Sequence, residues 1–200
     1  MQVVAKDNID YQKIRGILIS GGTIIYPTDT AYALGCDAGS DRGVESIFRI
    51  KQRTLDMALP LIASDCAMVE QYAVLNDRAR ELVDRYWPGP LTLVLPARGK
   101  RLCASVLLDD TIAVRVPNSV IARDIARSTG GPIVSTSANM SGGNTPYSLK
   151  DVQDSLGEAF EEVAIVIDGG TLPAGPVSTI VKVCDTMSTV IRKGTIAIDQ

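Results

Sequence analysis

Lys51 and Arg53 stand two residues apart where an apolar-faced segment runs out, so two cations meet at the expected end of a helix. Further along, Ser135-Thr136-Ser137-Ala138-Asn139 sets five small or hydrogen-bonding residues after a short apolar run. Small side chains let backbone N–H groups approach an anion closely, and hydroxyls add donors. Arg115 sits in Ala113-Val114-Arg115-Val116-Pro117, Arg192 ends a later apolar stretch, and Thr28-Asp29-Thr30 and Ser178-Thr179 add hydroxyls beside them. A guanidinium holds a carboxylate or phosphate in two-pronged fashion. Together these groups can build a pocket for more than one anionic group. Each has a plainer reading. On an ideal helix Lys51 and Arg53 point about 200° apart, so they converge only if the helix ends near Ile50; otherwise they are a basic C-terminus satisfying a helix dipole. The Ser135–Asn139 run can be a solvated loop, Arg115 a surface salt bridge, and Asp29 a turn cap. A lysine on such a surface has little packing to lose, so Lys51→Ala is expected to leave thermal stability nearly unchanged.

The chain contains no histidine. That excludes a Ser-His-Asp triad, a Cys-His pair and any His-based zinc site. Proton transfer must use carboxylates, Lys, Cys, Tyr, the substrate or water.

The elements that must position these groups alternate. Helices are expected at Tyr11–Ser20, from an Asp41 N-cap to Ile50, at Ala67–Tyr72, after an Asn76 N-cap, at Val120–Ser128 and at Leu149–Leu156. Strands are expected at Thr23–Tyr26, Ala31–Cys36, Leu59–Ala63, Leu91–Pro96, Thr111–Val116, Ile133–Val134, Val163–Ile167, Ser178–Val183 and Thr189–Arg192, the last two as antiparallel neighbours. Pro60 suggests that its strand is an edge or only just beginning. The fold class is therefore α/β: one domain over residues 1–200, an open twisted mixed sheet flanked by helices. Ligands of open α/β sheets sit at strand ends, and the polar clusters are expected there. Neither G-x-G-x-x-G nor G-x-x-x-x-G-K-[ST] occurs, so a nucleotide must be held without either phosphate loop.

With 200 residues, 46% of them hydrophobic, the chain can fill one core, built from Val, Ile, Leu and Ala because aromatics make up 4%. A net charge of −3 gives no sequence-independent nucleic-acid coat, although a local basic cleft remains open. Cys36, Cys66, Cys103 and Cys184 form no C-x-x-C and read as free thiols, mostly buried, in a reducing, cytoplasmic setting. The polar N-terminus is expected to carry no signal peptide, and no apolar run is long enough to span a membrane.

Read together, the segments Tyr26–Gly35 (YPTDTAYALG), Ile50–Arg53, Leu59–Leu61, Tyr86–Thr92 (YWPGPLT), Ala113–Pro117, Ser135–Asn139 with Ser141-Gly142, Pro176–Thr179 and Ile191–Gly194 resemble the YrdC-like domain of threonylcarbamoyl-adenylate synthases. They run in family order over nearly the whole chain, with the K-x-R and S-x-N elements intact as Lys51/Arg53 and Ser137/Asn139. The resemblance implies the short, single-domain form and a dihydroxybutanone-phosphate-synthase-like sheet. It implies synthesis of L-threonylcarbamoyladenylate from L-threonine, bicarbonate and ATP, with Mg²⁺ accompanying ATP and pyrophosphate released. A threonylcarbamoyl-transfer complex would then modify adenosine 37 of ANN-decoding tRNAs, with tRNA itself a further candidate partner. By the same resemblance Lys51, Arg53, Ser137 and Asn139 are catalytic. Ser135 and Arg192 join them around the nucleotide, Arg115 pairs with the threonine carboxylate, and Thr28, Tyr32 and Ser178 shape the threonine pocket. No metal ligand is assigned. Three other readings compete with this one. A non-enzymatic RNA-binding relative is disfavoured by the net charge, and a sugar-phosphate synthase by the missing histidine. A carbamoyltransferase accessory domain needs further regions for which the chain has no room.

Overall fold

Two runs with almost no polar side chain, Ile24–Pro27 (β2) and Tyr32–Asp37 (β3), are buried along nearly their whole length. Such runs belong to central strands covered on both faces. In the computed structural model, which describes residues 1–53, 59–99, 102–184 and 187–198, they lie inside a ten-stranded mixed sheet. The other strands are β1 (Gln2–Ala5), β4 (Leu61–Ile62), β5 (Leu91–Pro96), β6 (Thr111–Arg115), β7 (Ile133–Ser137), β8 (Ile165–Asp168), β9 (Thr179–Cys184) and β10 (Met187–Arg192). Their order is β1-β8-β2-β3-β7-β4-β6-β5-β9-β10. The β1/β8, β2/β8, β4/β6 and β5/β9 pairs are parallel; the other five are antiparallel, β9/β10 among them as expected.

The helices are α1 (Tyr11–Ile19), α2 (Asp41–Lys51), α3 (Cys66–Tyr72), α4 (Asp77–Tyr86), α5 (Val120–Thr129) and α6 (Leu149–Leu156). Each begins on a side-chain cap: Asp10, Ser40, Asp65, Asn76, Ser119 and Ser148 in turn. The α2 cap is thus Ser40, whose hydroxyl accepts from Gly43 N–H, and not Asp41, which lies in the first turn where its charge suits the dipole. Helix α2 packs on β3, α1 on α5, and α5 on β2 and β4.

The strands differ from the sequence reading in places. Strand β1 carries no sequence signal: Gln2–Ala5 is short and largely exposed at the sheet edge, so no alternation marks it. Strand β4 keeps only Leu61–Ile62 and lies inside the sheet between β7 and β6; Pro60 just precedes it, and its carbonyl accepts from Ser135 N–H at 2.8 Å. Strand β7 runs on through Ser137, because Gly35, Leu34 and Ala33 of β3 pair with Ser135, Thr136 and Ser137. The cysteines are free, but only Cys36 and Cys103 are buried; Cys66 is partly covered and Cys184 exposed. Part of the expected Leu59–Ala63 strand is adjoined by residues 54–58, which lie outside the described residues.

Candidate active site

The cleft lies across a sheet face. Side chains two residues apart along a strand share a face, and the cleft is lined by such sets: Ser135 and Ser137 of β7, Ala113 and Arg115 of β6, and Ile180 of β9 with Ser178 just before it. Thr92, Ile180 and Arg192 form a cross-strand row, since Ile180 pairs with both of the others. Helix α2 covers the opposite face, where Gly43 meets Cys36 of β3 so closely that an added Cβ would stand 3.0 Å from the Cys36 Cβ. The cleft lies where the polar clusters were expected, since Arg115, Ser137 and Arg192 are the last residues of β6, β7 and β10 and Ser178 just precedes β9; from there it extends over the sheet face past Ala33 and Ala113 as a cavity of about 570 Å³. All ten sequence-predicted site residues, Thr28, Tyr32, Lys51, Arg53, Arg115, Ser135, Ser137, Asn139, Ser178 and Arg192, line it.

Lys51 and Arg53 converge because helix α2 ends at Lys51. Gln52 takes the left-handed conformation (φ 48°), donates to Arg49 O, and turns Arg53 back so that its N–H reaches Phe48 O at 3.0 Å. This is a Schellman-type stop without glycine. Lys51 is no surface residue: it is 3% exposed. Its ammonium donates to Ser137 O and Asn139 O, each at 2.5 Å, and reaches Asn139 Oδ1 at 3.5 Å. Burial, and then the Arg53 charge, push the Lys51 ammonium down to about 8. The expectation that Lys51→Ala spares stability is thereby overturned, since the ammonium fastens the end of β7 to the end of α2.

The turn after β7 is fastened further. Ser141 donates to Lys51 O through both N–H and Oγ, and Asn139 Nδ2 donates to Gly143 O at 2.7 Å. Three backbone N–H groups of this segment are engaged: Ser135 N–H on Pro60 O, Ala138 N–H on Tyr32 O and Asn139 N–H on Ser137 O. Strand geometry withholds these three from any loop closing on an anion. The Ser135 and Ser137 side chains and the neighbouring cations line the cleft beside them.

Across the cleft, Arg115 Nη1 pairs with Asp29 Oδ1 at 3.1 Å, with side chains 8% and 11% exposed, and Nη2 contacts Thr30 Oγ1 at 3.4 Å. Asp29 Oδ2 accepts from Asn118 N–H at 3.0 Å. Asp29 thus holds both the guanidinium and the chain that follows it, which replaces the surface salt bridge considered for Arg115. Thr28 spends its hydroxyl proton on Ala31 O at 2.7 Å and accepts from the N–H groups of Thr30 and Ala31, closing the turn. The Tyr32 hydroxyl accepts from Gly169 N–H and donates to Gly170 O, so this tyrosine offers the cleft its flank while its oxygen anchors the chain after β8. Burial, chiefly, raises its pKa. Tyr26 lies beneath Ser135, its ring crossing Gly35, where an added Cβ would come within 2.9 Å of the ring. Arg192 donates to Ser178 O through Nε and Nη2 and to Ser178 Oγ at 3.0 Å. Partial burial and then the Arg115 charge lower its pKa, so the two guanidiniums sense each other.

Four cations, Lys51, Arg53, Arg115 and Arg192, therefore face one cavity whose described lining includes no carboxylate. Nor does any cluster of three His, Cys, Asp or Glu side chains occur among the described residues. Thr30 and Ser141, which lie in segments named above, line the cleft as well, and so does Thr92, to which sequence reasoning assigned no role. Two-residue spacing of side chains along the predicted strand is the signal that reaches Thr92.

Fold and site together define an α/β protein with a cleft faced by four cations. The family model Sua5_yciO_yrdC, described as "Telomere recombination", matches residues 16–194. The chain belongs to this Sua5/YciO/YrdC family. It is 31% identical over 183 residues to a putative threonylcarbamoyl-AMP synthase of Methanocaldococcus jannaschii, covering 92% of this chain and 84% of that one. It is 36% identical over 154 residues to the threonylcarbamoyl-AMP synthase of Serratia proteamaculans, covering 76% and 82%. The structure of Pyrococcus abyssi Sua5 complexed with L-threonine superposes with a TM-score of 0.85 at 32% identity, over 97% of this chain and 58% of that longer protein. No helix among the described residues is long and apolar enough to cross a membrane.

Proposed function

We propose that this protein is a threonylcarbamoyl-AMP synthase, joining L-threonine, bicarbonate and ATP into L-threonylcarbamoyladenylate with release of pyrophosphate. The observation that carries the reading is the convergence of four cations on a cavity whose lining, among the described residues, holds no carboxylate, in a chain whose net charge is negative. The chemistry demands that two anionic reactants be held side by side. The threonine amine attacks the carbon of bicarbonate, water leaves, and the resulting carbamate oxygen attacks the α-phosphorus as pyrophosphate departs. Positioning and charge stabilisation supply most of what such a reaction needs, and no histidine is required. Arg115, held by Asp29, takes the threonine carboxylate. Arg53 and the hydroxyls of Ser135 and Ser137 face the phosphates, and Lys51 adds charge from beneath while holding the β7 turn. Mg²⁺ fits this site from one side: the lining offers hydroxyl oxygens such as those of Ser137 and Ser141, so phosphate oxygens and water would complete its shell. Bound there, it would neutralise charge on the departing pyrophosphate. We assign the protein to the cytoplasm and its product to a threonylcarbamoyl-transfer complex acting on ANN-decoding tRNAs.

Pyrophosphate release from ATP is expected only when threonine and bicarbonate are both present. Radiolabelled ATP followed by chromatography checks this, and equal release without threonine would sink the reading. ATP affinity carries its own signature. Lys51 is charged below about pH 8 and loses its charge above it. A triphosphate favours the charged form, so affinity is full below that value and falls as pH rises through it, by at most about tenfold per pH unit. Calorimetric titration between about pH 7 and pH 9.5 should show the decline, and Lys51→Met should flatten it.

A further inference from the structure

Thr92 lies in the cleft wall on β5 and is 4% exposed, yet the reaction as described gives its hydroxyl nothing to do. Its Oγ1 stands 2.9 Å from Ser178 Oγ. Ser178 Oγ also lies 3.0 Å from Arg192 Nη2. A guanidinium only donates, so Ser178 accepts from Arg192. The Thr92–Ser178 bond can run either way by distance alone, and the remaining hydrogen decides it. Ser178 is the one hydrogen-bond partner of the Thr92 hydroxyl among the described residues. Both hydroxyls line the cleft, but Thr92 is 4% exposed against 8% for Ser178, so the more deeply covered Thr92 hydrogen is the one that most needs a protein acceptor. With Thr92 donating, both lone pairs of Ser178 are filled, one by Arg192 and one by Thr92. The Ser178 hydrogen is then left to point into the cleft that Ser178 lines.

We propose that Thr92 is a positioning residue that makes Ser178 a donor-only hydroxyl, aimed at an oxyanion of the bound threonine or its carbamate. This rests on the synthase reading above. Ser178 in that state cannot accept from a substrate ammonium or hydroxyl, so it favours the deprotonated, carbamoylated form over free threonine. The strand register supports the arrangement: Thr92 and Arg192 both pair with Ile180, two residues beyond Ser178, so donor and cation approach the same hydroxyl from neighbouring strands.

The test compares Thr92→Val, Thr92→Ser, Ser178→Ala and the Thr92→Val/Ser178→Ala double variant in the full chain. Half-saturating threonine is read from pyrophosphate release, ATP affinity from calorimetry, and folding from the melting temperature. Thr92→Val is nearly isosteric but lacks the hydroxyl. It is expected to raise half-saturating threonine about fivefold to tenfold, the worth of one hydrogen bond, with ATP affinity and melting temperature unmoved. Thr92→Ser should restore wild-type behaviour, and the double variant should be no worse than Ser178→Ala, because Thr92 acts only through Ser178. Additive losses, failure of serine to rescue, or a melting shift without a threonine effect would overturn the proposal. A wild-type protein lacking threonine-dependent pyrophosphate release defeats the synthase reading itself. An active wild type with an indifferent Thr92→Val defeats only this inference.

Discussion

Replacing Arg115 by alanine is expected to raise the half-saturating threonine concentration at least tenfold and to lower the melting temperature as well. The two effects have separate causes. The first follows from the proposed pairing: a substrate carboxylate that loses a buried charged donor costs about 2–5 kcal/mol of binding. The second follows from Asp29. Its carboxylate is 11% exposed and faces Arg115 at 3.1 Å, so truncating the arginine strands a buried charge. Breaking such a pair costs about 3–5 kcal/mol, or roughly 6–20 °C in a chain of this size. Melting alone therefore does not separate a structural arginine from a substrate-binding one. The double variant Arg115→Met/Asp29→Asn does. It removes both charges, so much of the stability should return, whereas threonine affinity should stay lost. Recovery of threonine affinity along with stability would show that Arg115 serves the fold alone. Arg115→Lys should recover only part of the binding, because one ammonium cannot reproduce the two-pronged geometry.

How far this site was legible in sequence depends on which force placed each residue. Apolar runs marked the central strands, and Asn76 behaves as the expected local cap, whose effect reaches only the next turn. Strand β5 matches its expected range, because an apolar stretch broken only by Thr92 and bounded by proline admits little else. What failed depends on pairing partners far away in the chain. Ser135–Ser137 looks like a loop by composition, yet β3 recruits it as strand, since Ala33 and Gly35 offer free ladder positions opposite it. Two of the N–H groups that a phosphate-binding loop would have used are engaged, Ala138 on Tyr32 O of β3 and Ser135 on Pro60 O. The convergence of Lys51 and Arg53 was legible only as a condition, that the helix should stop near Ile50. The left-handed Gln52 that meets it is a non-glycine and leaves no mark in composition. Burial of Lys51 was invisible for a related reason: its acceptors are backbone carbonyls more than eighty residues away.

Those carbonyls set the expected outcome for Lys51→Ala, which should both unseat the fold locally and abolish most turnover. The ammonium is the donor to Ser137 O and Asn139 O, and each carbonyl left without it costs about 1–3 kcal/mol. A fall in melting temperature of about 5–15 °C follows at the usual conversion for this chain length. Turnover should fall by about 100-fold or more, because the cation beneath the phosphates disappears and the Ser137–Asn139 turn loses its anchor. Lys51→Met separates the stem from the charge. It keeps the aliphatic packing but no donor, so it should lose nearly as much stability as alanine if the carbonyl bonds dominate, and clearly less if packing does. Lys51→Arg should rescue neither property, since a planar guanidinium does not fit a compact point enclosed by two carbonyls and an amide oxygen. Differential scanning fluorimetry beside pyrophosphate release at saturating ATP and threonine decides the matter. Wild-type melting with lost turnover in Lys51→Ala would mean that the ammonium reaches the phosphates directly and does not hold the turn. Lost melting with normal turnover at low temperature would remove Lys51 from the chemistry and leave it a clasp between α2 and β7.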